Sequence, residues 1–440
     1  MPSKHKKVYQ KSKKDKTLHI KQLKKWENTI QKQLPVLTKS QAYLLALWSF
    51  AMVIIKSCAI TSVSFFLAYL SEDDEKLIDA KQNSWRQRLR EFCYGSDDKR
   101  GHKRKELHVQ SCFPYLMKWI IKWWDSDQLT IALDATTLEL KFTVLAVCVV
   151  YRGCGIPVAW TITKGNEKGE WNTHWSSMLR SLKENIPNNY IVFVMTDSGL
   201  YSPKIYKLIT KLNWHPLMRT NGSGYFKEGD KYFQPIKSFA KAPGTSWQGR
   251  GLAFKSSCIE CTLIAHWEEY EKEAWFILTD LPPEASNACL YGMRAWIEHS
   301  FRVIKSGFWQ WNRTKMEDPE RASRYWLVIS VGMIWVMSVG GEADESIPAS
   351  TVPDITKDGY HIRIGRRQIS VCRLGWIKIL AKLICHDELP FGKFIPEPMV
   401  LVISKKVMDI FDLLRALPKH PEQAGKVVGW HLRAVVLNAL

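Results

Sequence analysis

Two aspartates and one polar stripe have the residue types and spacing for chemistry. Asp134 closes the apolar run QLTIALD, and Asp197 closes YIVFVMTD. The stretch YGMRAWIEHSFRVIK, residues 291–305, reads as a helix that carries Tyr291, Arg294, Glu298 and Lys305 among apolar residues. At about 100° per residue, the last three fall at about −60°, −20° and −40° from Tyr291, so all four share one narrow face. Met293, Ile297, Phe301, Ile304 and Phe308 form a second stripe about 90° away, suited to burial. Taken alone, each aspartate is also a turn residue capping its strand, and the helix is also a solvated face beside a core face.

Together the three carboxylates suit phosphodiester chemistry. Hydrolysis needs an activated oxygen nucleophile and a stabilised leaving oxygen, and two Mg²⁺ ions about 3.5–4 Å apart supply both. Mg²⁺ takes oxygen ligands and keeps several waters, so one or two carboxylates per ion suffice. Asp134 and Asp197 could share one cation, and Glu298 could complete a second site.

The elements that must position these groups follow a readable order. Residues 128–138, 142–151 and 155–163 read as a three-strand meander with Gly153 and Gly155 as turn signals. A helix over 171–186, a buried strand over 190–200, a helix over 202–212 with Ser202 as N-cap, and a strand over 214–220 come next. In an open α/β sheet, functional groups gather at the carboxyl ends of strands. This order is that of a ribonuclease-H-like fold, in which the first and fourth strands are neighbours. Residues 221–284 read as a β-rich insertion that ends in the strand EAWFILTDLP, and a long helix is expected over 319–337. The expected organisation is a basic arm over 1–34, a helical DNA-binding region over 35–125, the α/β core over 126–220 and 285–341 around the insertion, and a mixed C-terminal region over 342–440. In that last region a strand-like YHIRIGRRQISV and helices near 373–385 and 405–416 stand out.

Composition points to the partner. Among 440 residues, 63 Lys and Arg stand against 43 Asp and Glu, a formal net charge of +20. Such an excess favours a polyanion, because neutralising phosphates releases counterions. The first 25 residues hold ten lysines and one aspartate. The ten scattered cysteines fit a reducing compartment, and the C-x-x-C at Cys258 and Cys261 has no second pair with zinc spacing. The apolar run 42–70 is long enough to span a bilayer, but Lys56 near its centre splits it into two halves sized for buried helices. A membrane location is therefore not expected.

The spacing Y-x2-R-x3-E-x6-K at Tyr291, Arg294, Glu298 and Lys305, preceded by two strand-end aspartates, resembles the signature of insertion-sequence transposases of the IS-four family. The resemblance covers roughly 128–340. It implies a ribonuclease-H-like core with a β-rich insertion, and a catalytic, metal-binding triad of Asp134, Asp197 and Glu298 holding two Mg²⁺, with Mn²⁺ as a substitute. It implies that Tyr291, Arg294 and Lys305 hold phosphates at the cut DNA end, Arg through its fork and Lys as a point charge. Trp275, in WFILTD, resembles a tryptophan that stacks on a flipped base, and Arg219, in LMRT, a DNA-contacting arginine. In this family Arg often follows the second aspartate, where this chain has Ser198. The implied activity is cut-and-paste transposition on double-stranded DNA, both element ends and target, by a homodimer in the cytoplasm at the nucleoid. The alternatives are a nuclease of the same fold that does not join strands, and a catalytically inactive DNA-binding remnant.

Overall fold

The computed structural model describes residues 21–346, apart from 73, 101–104, 166, 168–170 and 270, together with 354–355, 362–363 and 369–396. The helix expected near 405–416, the first part of the basic arm and most of the strand-like stretch 360–371 lie outside the described residues.

The described residues begin with five α-helices: α1 over residues 21–33, α2 (Lys39–Ile55), α3 (Ile60–Ser71), α4 (Ile78–Cys93) and α5 (Phe113–Lys122). α2 starts at a capping box, in which the Thr38 hydroxyl accepts from Gln41 N–H and the Gln41 side chain accepts from Thr38 N–H. The apolar run 42–70 is two helices bent by 98°. The break falls at Lys56, which ends α2 in the left-handed region at φ 55°. Its ammonium lies over the rings of Phe308 and Trp376, 5.1 and 5.2 Å from their centroids.

Ten strands then build one mixed sheet: β1 (Gln128–Leu138), β2 (Phe142–Tyr151), β3 (Cys154–Lys164), β4 (Ile191–Thr196), β5 (His215–Thr220), β6 (Tyr225–Glu228), β7 (Gln234–Pro235), β8 (Ser246–Ala253), β9 (Ile259–His266) and β10 (Trp275–Thr279). Helices α6 (Trp171–Lys183) and α7 (Pro203–Lys211) flank β4 in sequence. The strand order is β3-β2-β1-β4-β5-β10-β9-β8-β6-β7. β1, β2 and β3 pair antiparallel, whereas β1 pairs parallel to β4, and β4 to β5. The first and fourth strands are therefore neighbours, as their order in sequence predicts. This mixed α/β architecture is compatible with the ribonuclease-H-like core expected from the order of elements.

β1 covers the expected 128–138 and so passes Asp134, where its apolar run ends. It runs to Leu138 because its last residues stay paired with β2, Asp134 facing Ala146 and Leu138 facing Phe142. Two expectations change. The β-rich insertion extends the core sheet, because β10 returns antiparallel to β5 and carries β9 and β8 outward. The basic arm is only in part an arm: α1 buries Trp26 and Ile30 at 1% and 0% exposure, and Leu34 just after it is buried at 0%. Trp26 stacks on Trp335 and Phe391 at 4.7 and 5.6 Å between centroids.

The helix expected to open near residue 285 is α8 (Ala288–Gly292), a single 3-10 turn (Met293–Ala295), α9 (Trp296–Arg302) and a π-helical turn (Val303–Gly307). Asn287 caps its start by accepting from Cys289 N–H. α9 lies against the start of β3. There Gly155 N–H donates to Ser300 Oγ at 3.1 Å, and a Cβ on Gly155 would meet that oxygen at 2.8 Å. Behind it α10 (Pro319–Glu345), capped by Asp318, runs through the core. α10 is long and apolar enough to cross a membrane, but 94% of its most apolar window is buried inside the protein. α11 (Val371–Ile384) crosses α10 where a Cβ on Gly375 would meet Val336 O at 2.0 Å. The segment after it reaches the sheet: Ile395 N–H donates to the Tyr151 hydroxyl, and Arg152 Nε donates to Ile395 O.

Candidate active site

The site forms where β1 outruns β4. Leu133 and Thr196 are the last partners of that parallel pair. Asp134, next on β1, and Asp197, just past the end of β4, follow directly, so the ladder itself delivers two carboxylates side by side. Each aspartate fixes itself with one oxygen. Asp134 Oδ1 accepts from Ala135 N–H at 2.8 Å, and Asp197 Oδ1 accepts from Ser198 N–H at 2.7 Å. The second oxygen of each meets Arg294: Nη2 is 2.9 Å from Asp134 Oδ2 and 3.2 Å from Asp197 Oδ2. Sharing one nitrogen holds those oxygens within about 6 Å of each other, within reach of a cation pair. Arg294 Nη1 donates to Glu298 Oε1, one helical turn on. One guanidinium thus gathers all three expected carboxylates, although they come from a strand, a strand end and a helix.

Burial sets the electrostatics. The Asp134 side chain is 14% exposed, against 33% for Asp197 and 53% for Glu298. Desolvation pushes the Asp134 carboxyl up from 3.8 to about 6, against the opposing pull of Arg294. Burial also works against the Arg294 charge, but Asp134 and then Asp197 outweigh it and hold its pKa above the ordinary arginine value.

The remaining expected residues surround this centre in different ways. The Lys305 ammonium donates to Thr136 Oγ1 at 2.8 Å and Thr137 O at 3.2 Å, and burial draws its pKa down. Arg219 Nη1 lies 3.8 Å from Asp197 Oδ1, and Nη2 lies 3.2 Å from Glu273 on the exposed rim. Tyr291 faces inward: it is 3% exposed and its hydroxyl donates to Thr196 O, the carbonyl just before Asp197. Burial raises its pKa. Trp275 is half-buried at the start of β10, and its ring meets Tyr291 edge-on at 5.4 Å. It packs against the edge of the core and keeps part of its surface exposed.

Sequence reasoning missed Thr136, which anchors Lys305, and Glu273, the second partner of Arg219. Thr136 had a signal, since two residues after Asp134 on a strand is the same face. Glu273 had none, because its partner lies across a β5–β10 pairing made only in the folded sheet.

Three carboxylates supply the hard oxygen donors that a divalent cation takes, and this donor set fits such an ion. Among the described residues no group of three or more His, Cys, Asp and Glu side chains stands ready around a cation position. Here the Arg294 guanidinium fills the space between the carboxylates. Residues 125–335 match the family model for the transposase DDE domain, a span that holds all eight expected site residues. That match supports a DDE transposase. A comparison with curated proteins finds no match.

Proposed function

We propose, from the match of residues 125–335 to the transposase DDE domain, that this protein catalyses cut-and-paste transposition of an insertion sequence of the IS-four type. The observation that carries the reading is the convergence of Asp134, Asp197 and Glu298 on one guanidinium inside the matched span. DDE transposase domains depend on divalent metal, and these three carboxylates would hold two Mg²⁺, with Mn²⁺ as a substitute. When bound, the ions supply activation of the attacking oxygen and stabilisation of the leaving oxygen.

The chain's own residues do the positioning. The β1–β4 ladder holds both aspartates at fixed spacing, so the backbone that carries them is already in place when DNA arrives. Arg294 offers a fork to a phosphate, and Lys305 a point charge. Arg219 lies on the Asp197 side, suited to a second phosphate. Trp275 presents an indole beside the site, and base–aromatic stacking contributes about 1–3 kcal/mol. The substrate is double-stranded DNA, first the element ends and then the target. The first cut hydrolyses one strand and frees a 3′-hydroxyl. That hydroxyl attacks the opposite strand, forming one phosphodiester as another breaks, and leaves a hairpin on the element. A homodimer would hold the two ends, in the cytoplasm at the nucleoid.

The test is incubation of the full chain with Mg²⁺ and DNA carrying the native element ends. Nicked, hairpin and strand-transfer products are expected, and Asp134→Asn, Asp197→Asn or Glu298→Gln should abolish all of them while DNA binding persists. Cleavage without any joined product would mean a nuclease of the same fold. Cleavage that survives the triad variants would remove the assignment.

A further inference from the structure

Arg294 has more to do than grip a phosphate, because in this structure it already has three anionic partners. Its Nη2 bridges Asp134 and Asp197, and its Nη1 holds Glu298. The carboxylate oxygens that face a common centre are the ones it occupies. A guanidinium and a divalent cation cannot both sit there, since both are positive and both need the same lone pairs. We propose that Arg294 is an internal counter-cation that closes the triad to metal in the DNA-free protein, and that a DNA phosphate opens it by drawing the guanidinium away. The proposal rests on the reading of Asp134, Asp197 and Glu298 as metal ligands.

The surroundings suit a latch that can release. Arg294 Nε is buried and has no hydrogen-bond partner, so the guanidinium is held only along its carboxylate edge. Glu298, the third partner, is half exposed and gives the guanidinium a way toward solvent. Lys305 marks where a phosphate would arrive. Its ammonium donates hydrogen bonds to neutral oxygens, those of Thr136 and Thr137, while Asp134 attracts it without a direct contact. Asp134 and Thr136 lie on the same face of β1, about 7 Å apart along the strand. A phosphate drawn to Lys305 therefore comes within reach of the Arg294 fork and competes with carboxylates for it. Metal would then bind tightly only where DNA is already seated, which keeps the catalytic centre closed away from substrate.

The measurement is Mn²⁺ binding to the full-length protein, by calorimetry or by the loss of the free-ion electron paramagnetic resonance signal, with no turnover involved. A site available for only a fraction of the time binds more weakly by that fraction. Arg294→Gln should therefore bind Mn²⁺ at least about tenfold more tightly than the wild type. In the wild type, a duplex with a 5′-phosphorylated end should raise Mn²⁺ affinity to a similar degree, with the complex of the Asp134→Asn variant and the same duplex as the blank. The duplex should add little to Arg294→Gln. The wild-type arm needs no variant and stands if Arg294→Gln fails to fold. Mn²⁺ affinity that is unchanged or weaker in Arg294→Gln, and unchanged by DNA in the wild type, would overturn the latch, while its loss in Asp134→Asn would leave the metal site standing. Mn²⁺ binding indifferent to both Asp134→Asn and Glu298→Gln would overturn the metal site and the latch with it.

Discussion

At the scale of single residues, Asp134 is the triad member whose titration its environment clearly changes. Burial raises its carboxyl from 3.8 to about 6, although Arg294 pulls the other way. A cation binds the carboxylate form, so protons compete with metal below that value. On the proposed function, Mn²⁺ affinity should fall by about tenfold for each pH unit below about 6, and level off above it. The same shift has a stability consequence of known sign. The folded metal-free protein holds this proton more tightly than the unfolded chain, so its stability should decline as pH rises from about 4 through about 6. Calorimetric titrations and thermal melts across that range check both. Asp134→Asn should flatten this component of each profile, and a wild-type affinity that rises toward acid would contradict the assignment.

At the scale of elements, the informative contact joins β10 to α8. Trp275 meets Tyr291 edge-on, and Tyr291 is tied by its hydroxyl to the last carbonyl of β4. The indole is thus held in place from below while its remaining surface stays open. An edge-to-face pair contributes about 0.5–1.5 kcal/mol, well under the 3–5 kcal/mol typical for truncating a core tryptophan. Trp275→Ala should therefore lower the melting temperature only slightly. On the proposed function it should spare the first nick and impair hairpin formation, because unstacking a base costs a few kcal/mol that the indole would offset. A time course of nicked and hairpin DNA reads this. Equal loss of both products together with a large drop in melting temperature would defeat the stacking role. The π-turn at Val303–Gly307 is the other telling element. Phe308 N–H and Trp309 N–H both donate to Val303 O, which widens the turn that carries Lys305.

At the scale of the whole molecule, the basic excess and the core overlap in the N-terminal region. Residues 1–20 carry seven lysines and one aspartate, whereas α1 and the residue after it contribute Trp26, Ile30 and Leu34 to the core. The two parts should separate on truncation. Removing 1–20 should weaken DNA binding and flatten its dependence on salt, because phosphate contacts set that slope, and should leave the melting temperature nearly unchanged. Removing 1–34 should destabilise the fold, with the Trp26 loss alone worth about 3–5 kcal/mol. Fluorescence anisotropy across a salt series, paired with thermal melts, distinguishes these outcomes. An unchanged salt slope without 1–20 would make that segment a passive tail.

Much of the site could be read from the sequence because its signals are local. Apolar runs ending in Asp134 and Asp197 follow from strand burial, and helical periodicity placed Ile297, Phe301, Ile304 and Phe308 in the core, although Met293 is only half-buried and Tyr291 of the polar stripe is buried as well. Lys56 marked the break between α2 and α3 because a charge resists a continuous apolar helix. What needed the tertiary structure was everything set by partners distant in the chain. β1 continues past Asp134 because β2 pairs with it, and Tyr291 turns inward because Thr196 O accepts its hydroxyl. α1 is core because Trp335 and Phe391 receive Trp26. Above all, the spacing of Arg294 in sequence placed it beside Glu298 on a helix, but only the folded sheet put the same guanidinium against Asp134 and Asp197, 160 and 97 positions before it in the chain. Periodicity reports which face a side chain takes; which opposite charge meets it there depends on how the strands and helices pack.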